Sequence, residues 1–206
     1  MPSDILMPLA QYGVLVLFIV AMVGSPGPAN MSLMASGVAF GARPAVPFLL
    51  GTMSGFQIIF WLNVLGLYAL LQGVPQVFQL LRWLCIGYIV YLAWTIVRSG
   101  SGAPGDARRV PGYLRGLWVH PLSPKAYAMQ IAAISQFVSP ERYLADALLV
   151  SLTFWVLGGI LNGLWLLAGG RLRMAVRASR YLYWLKLVLA LLMVGSTIAS
   201  LQMIPA

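Results

Sequence analysis

Two short proline motifs contain the residues of this sequence whose types and spacing have the clearest potential for chemistry. The first is GSPGPAN at residues 24–30, and the second is HPLSPKA at residues 120–126. Proline removes a backbone donor and glycine weakens a helix, so no regular α-helix is expected to pass through either motif. Both motifs interrupt apolar stretches, where unsatisfied backbone groups are costly unless they face protein or a hydrated cavity.

Serine precedes proline in both motifs, at Ser25 and Ser123, and again at Ser139. Serine is a favoured N-cap residue and proline a favoured first helical residue, so each pair predicts a helix start. The pair at Ser139 is interpreted as a helix start only, with Glu141 near its positive end. At the other two pairs, exposed amides could bind a carboxylate, and the preceding carbonyls could accept from an ammonium group. A zwitterionic amino acid matches both requirements.

Three ionisable side chains in or near the apolar segments are candidates for transport chemistry. Lys125 is costly inside a membrane span unless it faces a cavity, although it could instead extend to the cytoplasmic interface. His120 can exchange protons near neutral pH, but a lone histidine near an interface is more often structural. Asp146 could transfer a proton or be an exposed carboxylate at a helix start. We predict proton coupling at Lys125, His120 and Asp146, and a substrate pathway along Pro26, Gly27, Pro28, Asn30, Ser123, Pro124 and Lys125.

Further polar residues in apolar segments could line a pathway or form hydrogen bonds between helices. These residues are Asn30, Gln57, Asn63, Gln130 and Asn162, and Asn30 is the one we favour for the pathway. The single histidine and the single cysteine offer no metal-ligand cluster, so we expect no metal and no cofactor. Nucleophile-and-base arrangements are also lacking, so an intramembrane enzyme is the weaker alternative. A non-transporting membrane scaffold, with its helix breaks packed shut, is the other.

The composition identifies the class of protein. Of the 206 residues, 61% are hydrophobic and 8% are charged, and the mean hydropathy is +0.88. Soluble domains average about 25% charged residues. The formal net charge of +9 lies between apolar runs rather than on a basic face, which excludes a nucleic-acid partner and is typical of cytoplasmic loops. The sequence therefore predicts an integral membrane protein whose partners are lipids and a small-molecule substrate.

Six apolar stretches are long enough to be membrane spans. They cover residues 5–23, 46–72, 77–97, 116–138, 143–168 and 181–203. The segments after spans one, three and five contain one, four and four arginines, so the positive-inside rule places both termini outside. We predict a single membrane domain made of a first three-span half (residues 1–98), a cytoplasmic linker (99–113) and a second half (114–206).

The two proline motifs occupy corresponding positions in these halves. A shift of 96 positions brings Pro28 onto Pro124 and Pro44 onto Pro140. Because each half has an odd number of spans, the second half would insert upside down. The prediction is an all-α membrane protein with six transmembrane helices in two inverted three-helix repeats, whose first and fourth spans are broken at the proline motifs. The GxxxG spacings Gly37/Gly41 and Gly51/Gly55 indicate close helix packing, and a homodimer formed through a glycine face is an open alternative.

The motifs also resemble those of the LysE/RhtB family of bacterial amino-acid exporters. The resemblance lies in SPGPAN, in the spaced glycines of GVAFGARPAVPFLLGTMSG, and in YLRGLWVHPLSPKA. It covers the whole chain and implies alternating-access export of amino acids or related metabolites through the bacterial inner membrane, driven by proton exchange. The family commonly has asparagine before the Pro-Lys pair, where this chain has Ser123, so its substrate preference could differ. Acidic pathway residues are scarce, which favours neutral substrates.

Overall fold

The computed structural model describes residues 7–66, 75–98, 110–176 and 179–201. These residues form eight α-helices, and the described part contains no β-strand, which confirms the all-α prediction. A short 3-10 helix, Pro140–Arg142, leads into the seventh helix. The helices are α1 Leu9–Gly24, α2 Pro28–Phe40, α3 Val46–Val64, α4 Pro75–Arg98, α5 Tyr113–Leu117, α6 Pro124–Phe137, α7 Tyr143–Ala175 and α8 Ser179–Leu201.

Three of the described helical segments are long and apolar enough to cross a membrane: Val46–Val64, Pro140–Ala175 and Arg180–Ala199. Helices α1 and α2 pass the same test together, with a bend of 56° between them. The multi-pass membrane prediction is therefore confirmed for up to four spans, and the count of six remains a prediction. Residues 99–109 of the predicted linker lie outside the described residues.

The described helices refine the predicted span boundaries. Helix α3 ends at Val64, and Gly66 then turns the chain at φ 94°, with its N–H donating to Asn63 O. Residues 67–72 of the predicted span 46–72 lie outside the described residues. Helix α7 continues to Ala175 instead of ending at residue 168. With 33 residues it is about 50 Å long, more than a bilayer core requires. The predicted span 116–138, which was expected to be broken at its proline motif, contains a turn between α5 and α6.

Elements of the two predicted halves pack more extensively on each other than within themselves. Helix α2 packs mainly on α7 and α8, α3 mainly on α5, and α1 mainly on α7. One cluster of buried apolar side chains lies between α1, α3, α6 and α7, and a second is centred on α2, α4 and α8. Many large apolar side chains of the long helices are exposed on the outside, as expected of surfaces that face lipid.

Glycines allow the closest of these helix contacts. A Cβ added to Gly37 would collide with Leu166 O of α7. At Gly51 and Gly55 an added Cβ would collide with backbone carbonyls of α5. The packing interpretation is confirmed at these three positions. It is wrong for Gly41, which adopts φ 89° and ends α2, a conformation that L-residues with a side chain rarely adopt.

Candidate functional site

The first proline motif forms a three-residue break between α1 and α2. Ser25 ends α1: its N–H donates to Ala21 O at 3.2 Å and its hydroxyl donates to Met22 O at 2.8 Å. Helix α2 begins at Pro28, with Gly27 as an extended N-cap residue. The predicted helix start at Ser25 and Pro26 is therefore wrong by two residues, because the serine completes the preceding helix instead of capping the next one.

Asn30 stabilises this break from inside the first turn of α2. Its Nδ2 donates to Val23 O at 2.6 Å and to Ser25 O at 2.8 Å, and the side chain is buried. The last carbonyls of a helix lack intrahelical partners, and burying them unpaired is costly. Asn30, a residue of α2, therefore donates to two carbonyls that the end of α1 leaves without a donor from its own helix.

The second proline motif forms the turn before α6. Backbone hydrogen bonds close this turn, including Leu122 N–H to Trp118 O at 3.3 Å and Ser123 N–H to His120 O at 2.9 Å. Helix α6 begins at Pro124 with Ser123 as its N-cap residue, at the position where the sequence predicts a helix start. The Ser123 side chain makes no capping hydrogen bond, so Ser123 is the N-cap residue by its backbone position alone.

Lys125 joins the two motifs. Its Nζ donates to Ser25 Oγ at 2.8 Å, to Ser25 O at 3.1 Å and to Pro26 O at 3.4 Å. An ammonium group has three N–H donors, so the break between α1 and α2 can satisfy all of them. The side chain is directed at the first break, and this direction argues against a lysine that merely extends to the lipid interface.

A cleft lies where the two motifs meet. Its empty volume is about 550 Å³, a figure that includes the space open to solvent. The predicted residues Gly27, Pro28, Asn30, Ser123, Lys125 and His120 line it. Pro26, Pro124 and Asp146 do not line it. Among the described residues that line the cleft, none is an aspartate or a glutamate.

Two buried polar side chains of the cleft have unpaired atoms. His120 is 8% exposed, its ring packs edge-on against Phe56 at 5.1 Å between centroids, and its Nδ1 has no partner among the described residues. Asn162 of α7 is 5% exposed, and its Oδ1 also lacks a partner there. Buried polar atoms are nearly always hydrogen-bonded, so each such exception requires an explanation.

Asp146 lies in a different place. It is 2% exposed, and its Oδ2 accepts from Ser139 N at 3.1 Å and from Ser139 Oγ at 2.8 Å. Arg142 Nε lies 3.4 Å from Oδ1. The interpretation as an exposed carboxylate is wrong, because these contacts bury Asp146 while it caps the start of the α7 segment.

Comparison with known proteins gives consistent results over most of the chain. Residues 18–201 match the family model described as LysE type translocator. A cysteine/O-acetylserine efflux protein of Salmonella typhimurium (strain LT2) is 31% identical over 172 residues, which cover 82% of this chain and 87% of that protein. A protein of the same name from Escherichia coli (strain K12) is 30% identical over 171 residues, with the same coverage. No solved structure matches the chain.

Proposed function

This chain belongs to the LysE type translocator family, and we propose that it exports amino acids or related small metabolites from the bacterial cytoplasm. Membership of a translocator family agrees with the prediction that the chain is not an enzyme. The related efflux proteins are named for cysteine and O-acetylserine, so these are the first substrates to test. The observation that carries the proposal is Lys125, which binds the first helix break at the edge of a cleft lined by both motifs.

Substrate binding starts, in this proposal, with competition for the Lys125 ammonium group. In the structure this group is bound to uncharged oxygens of Ser25 and Pro26. A substrate carboxylate is a stronger acceptor, since hydrogen bonds between two ionised groups are shorter and stronger than bonds to neutral acceptors. Transfer of Lys125 to the substrate would release the oxygens of the first break. Such a release would couple an occupied cleft to a change in the angle between α1 and α2.

Alternating access about the two breaks follows from the proposed architecture. We propose six spans in two inverted halves, with both termini outside, and one compact membrane domain in the inner membrane. The tight packing of α2 on α7, which joins the first half to the second, supports a single domain. In transporters built from inverted repeats, substrates bind near the bilayer midplane, where discontinuous helices meet.

Proton exchange is the proposed energy source, and Lys125 and His120 are the proposed coupling residues because both line the cleft. The Asp146 carboxylate is already bound to Ser139 and Arg142 outside the cleft. These contacts favour a helix-capping role for Asp146 over the predicted coupling role. The scaffold alternative requires the two breaks to be packed shut, and the cleft between them argues against it.

Export can be tested with the purified protein in proteoliposomes. The vesicles are loaded with labelled O-acetyl-L-serine or, under reducing conditions, L-cysteine, and efflux is followed with and without an imposed pH gradient. We expect faster efflux than from protein-free liposomes, and loss of the acceleration when a protonophore collapses the gradient. If efflux is accelerated but does not depend on the gradient, the result contradicts proton coupling but not export. Efflux equal to that of protein-free liposomes for both compounds would contradict export of these substrates.

Gly27→Val is expected to reduce export about tenfold or more by displacing Lys125. A Cβ at Gly27 would lie 3.0 Å from Lys125 Nζ and 3.1 Å from its Cδ, so a branched side chain requires the lysine to move. The backbone is extended at φ −168°, so valine fits without backbone strain. Loss of one hydrogen bond to a charged group costs about 1.5–3 kcal/mol, and 1.4 kcal/mol is tenfold.

The matched control for this variant is Gly24→Val. It adds the same side chain at the end of α1, where a Cβ meets no described atom within 4 Å. Efflux rates from proteoliposomes containing equal amounts of each protein give the comparison. Equal rates for the two variants would contradict a role for the contact between Lys125 and the first break.

A further inference from the structure

We propose that Asn162, together with His120, forms the subsite that receives the α-ammonium group of the substrate, and that the cleft thereby selects neutral amino acids. This inference rests on the proposed export function and adds to it the two residues that recognise the second charged end of the substrate. Lys125 would bind the carboxylate end.

The first argument is the pairing of the polar side chains in the cleft. Asn30 donates to Val23 O and Ser25 O, and Lys125 donates to the first break. Gln57 exchanges two hydrogen bonds with Ser151, at 3.0 and 2.7 Å. By contrast, Asn162 Oδ1 and His120 Nδ1 have no partner among the described residues. A ligand that binds these two atoms would therefore break no protein hydrogen bond.

The second argument is the chemistry of the two available atoms. An amide oxygen accepts hydrogen bonds, and an imidazole nitrogen accepts in one of its neutral tautomers. Together they suit a group with several N–H donors, such as a primary ammonium. Hydrogen bonds to a charged group are stronger than those between neutral groups, so two neutral acceptors can bind one ammonium group without a carboxylate. The bound substrate is then a zwitterion with a net charge of zero.

The third argument is the absence of a carboxylate among the described lining residues. An amino acid with a second ammonium group would have to bury that charge against the walls formed by Met53, Phe56, Phe154 and Trp155. Burial of an unpaired charge costs several kcal/mol. Gly158 lies one turn before Asn162 on α7, and a Cβ there would meet no described atom within 4 Å, which leaves room beside the subsite for a small side chain.

The test uses two probes that differ only in the ammonium group: L-cysteine and 3-mercaptopropionate, under reducing conditions. Their affinities for the purified protein are measured by thermal-shift titration. For Asn162→Leu, we expect L-cysteine binding to weaken about tenfold or more and 3-mercaptopropionate binding to stay unchanged. For Asn162→Asp, which keeps the acceptor and adds a charge, we expect retained L-cysteine binding and new binding of L-2,3-diaminopropionate.

Two further variants control for folding and for residue type. His120→Phe keeps a ring against Phe56 but removes the nitrogen, and it should weaken L-cysteine binding without affecting 3-mercaptopropionate. Asn63→Leu makes the same change as Asn162→Leu at a buried asparagine that also has an unpaired Oδ1 but does not line the cleft. It should leave the ratio of the two affinities unchanged.

The outcomes separate the subsite from the export function. If the wild-type protein binds L-cysteine but Asn162→Leu weakens both probes equally, or weakens neither, the ammonium subsite is wrong and export stands. Tight binding of L-2,3-diaminopropionate by the wild-type protein would overturn the selection of neutral amino acids. If the wild-type protein neither binds nor transports L-cysteine or O-acetyl-L-serine, the proposed substrates are wrong, and the subsite with them.

Discussion

Lys125→Ala is expected to abolish export while the protein still inserts into the membrane. The substitution removes the cation that we propose for the substrate carboxylate, and it also removes three hydrogen bonds to the first break. Each hydrogen bond to a charged group contributes about 1.5–3 kcal/mol, so the loss of two from the substrate alone corresponds to a decrease of about a hundredfold or more. This exceeds the effect expected for Gly27→Val, which displaces the lysine but keeps its charge.

Efflux from loaded proteoliposomes measures this effect, and the amount of purified, monodisperse protein measures insertion and folding. Arg171→Ala is the matched control, because it removes an exposed cation at the end of α7, away from the cleft. We expect normal efflux from the control. Unchanged efflux from the Lys125 variant would refute the proposed role of the lysine, and the alternating-access scheme would lose the group that links the substrate to the first break.

The interruption of the helices at the two motifs can be predicted from the sequence. Proline and glycine dictate where a helix must stop, and the freed backbone groups then require partners within the protein. These requirements are local, so they predict that helices are interrupted near Pro28 and at Pro124 without knowledge of the fold. The exact residue at which a helix begins or ends depends on which of two neighbouring helices that residue joins. Ser25 could start one helix or end another, and only the position of α1 decides that it ends α1.

Sequence reasoning provides little information on the surroundings of two side chains: those of Asn162 come from distant elements, and those of Asp146 from a local turn. Asn162 is one of several polar residues in apolar stretches, and the face of α7 on which it lies is set by packing against α2 and α1. Asp146 has the sequence position of a solvent-exposed capping residue, yet Ser139 and Arg142 enclose it. The direction of a side chain on a buried helix depends on the neighbouring helices, and the hydrophobic pattern of α7, apolar over most of its length, contains little information about it.

Hydrogen bonds to carbonyls at the first break offset part of the cost of interrupting the helix. Asn30 and the Ser25 hydroxyl donate to carbonyls at the end of α1, and both are close in sequence to the carbonyls that they satisfy. The remaining donor, Lys125, comes from α6. In the proposed scheme the local donors stay bound at the break, whereas the lysine transfers to the substrate. This division of roles makes Lys125 the only one of the three donors suited to respond to substrate.

Gly37→Ala is expected to destabilise the protein by about 1–3 kcal/mol, the usual cost of overpacking. An added Cβ would collide with Leu166 O and would lie 2.9 Å from Gly170 N, so α2 and α7 must separate. Backbone atoms cannot move aside as a flexible side chain can. Gly195→Ala is the control, because a Cβ there meets no described atom within 4 Å and alanine favours a helix by about 0.5–1 kcal/mol. The thermal midpoint in detergent should fall for the first variant and stay level or rise for the second; a fall of equal size in both would show that the close contact between α2 and α7 contributes nothing specific to stability.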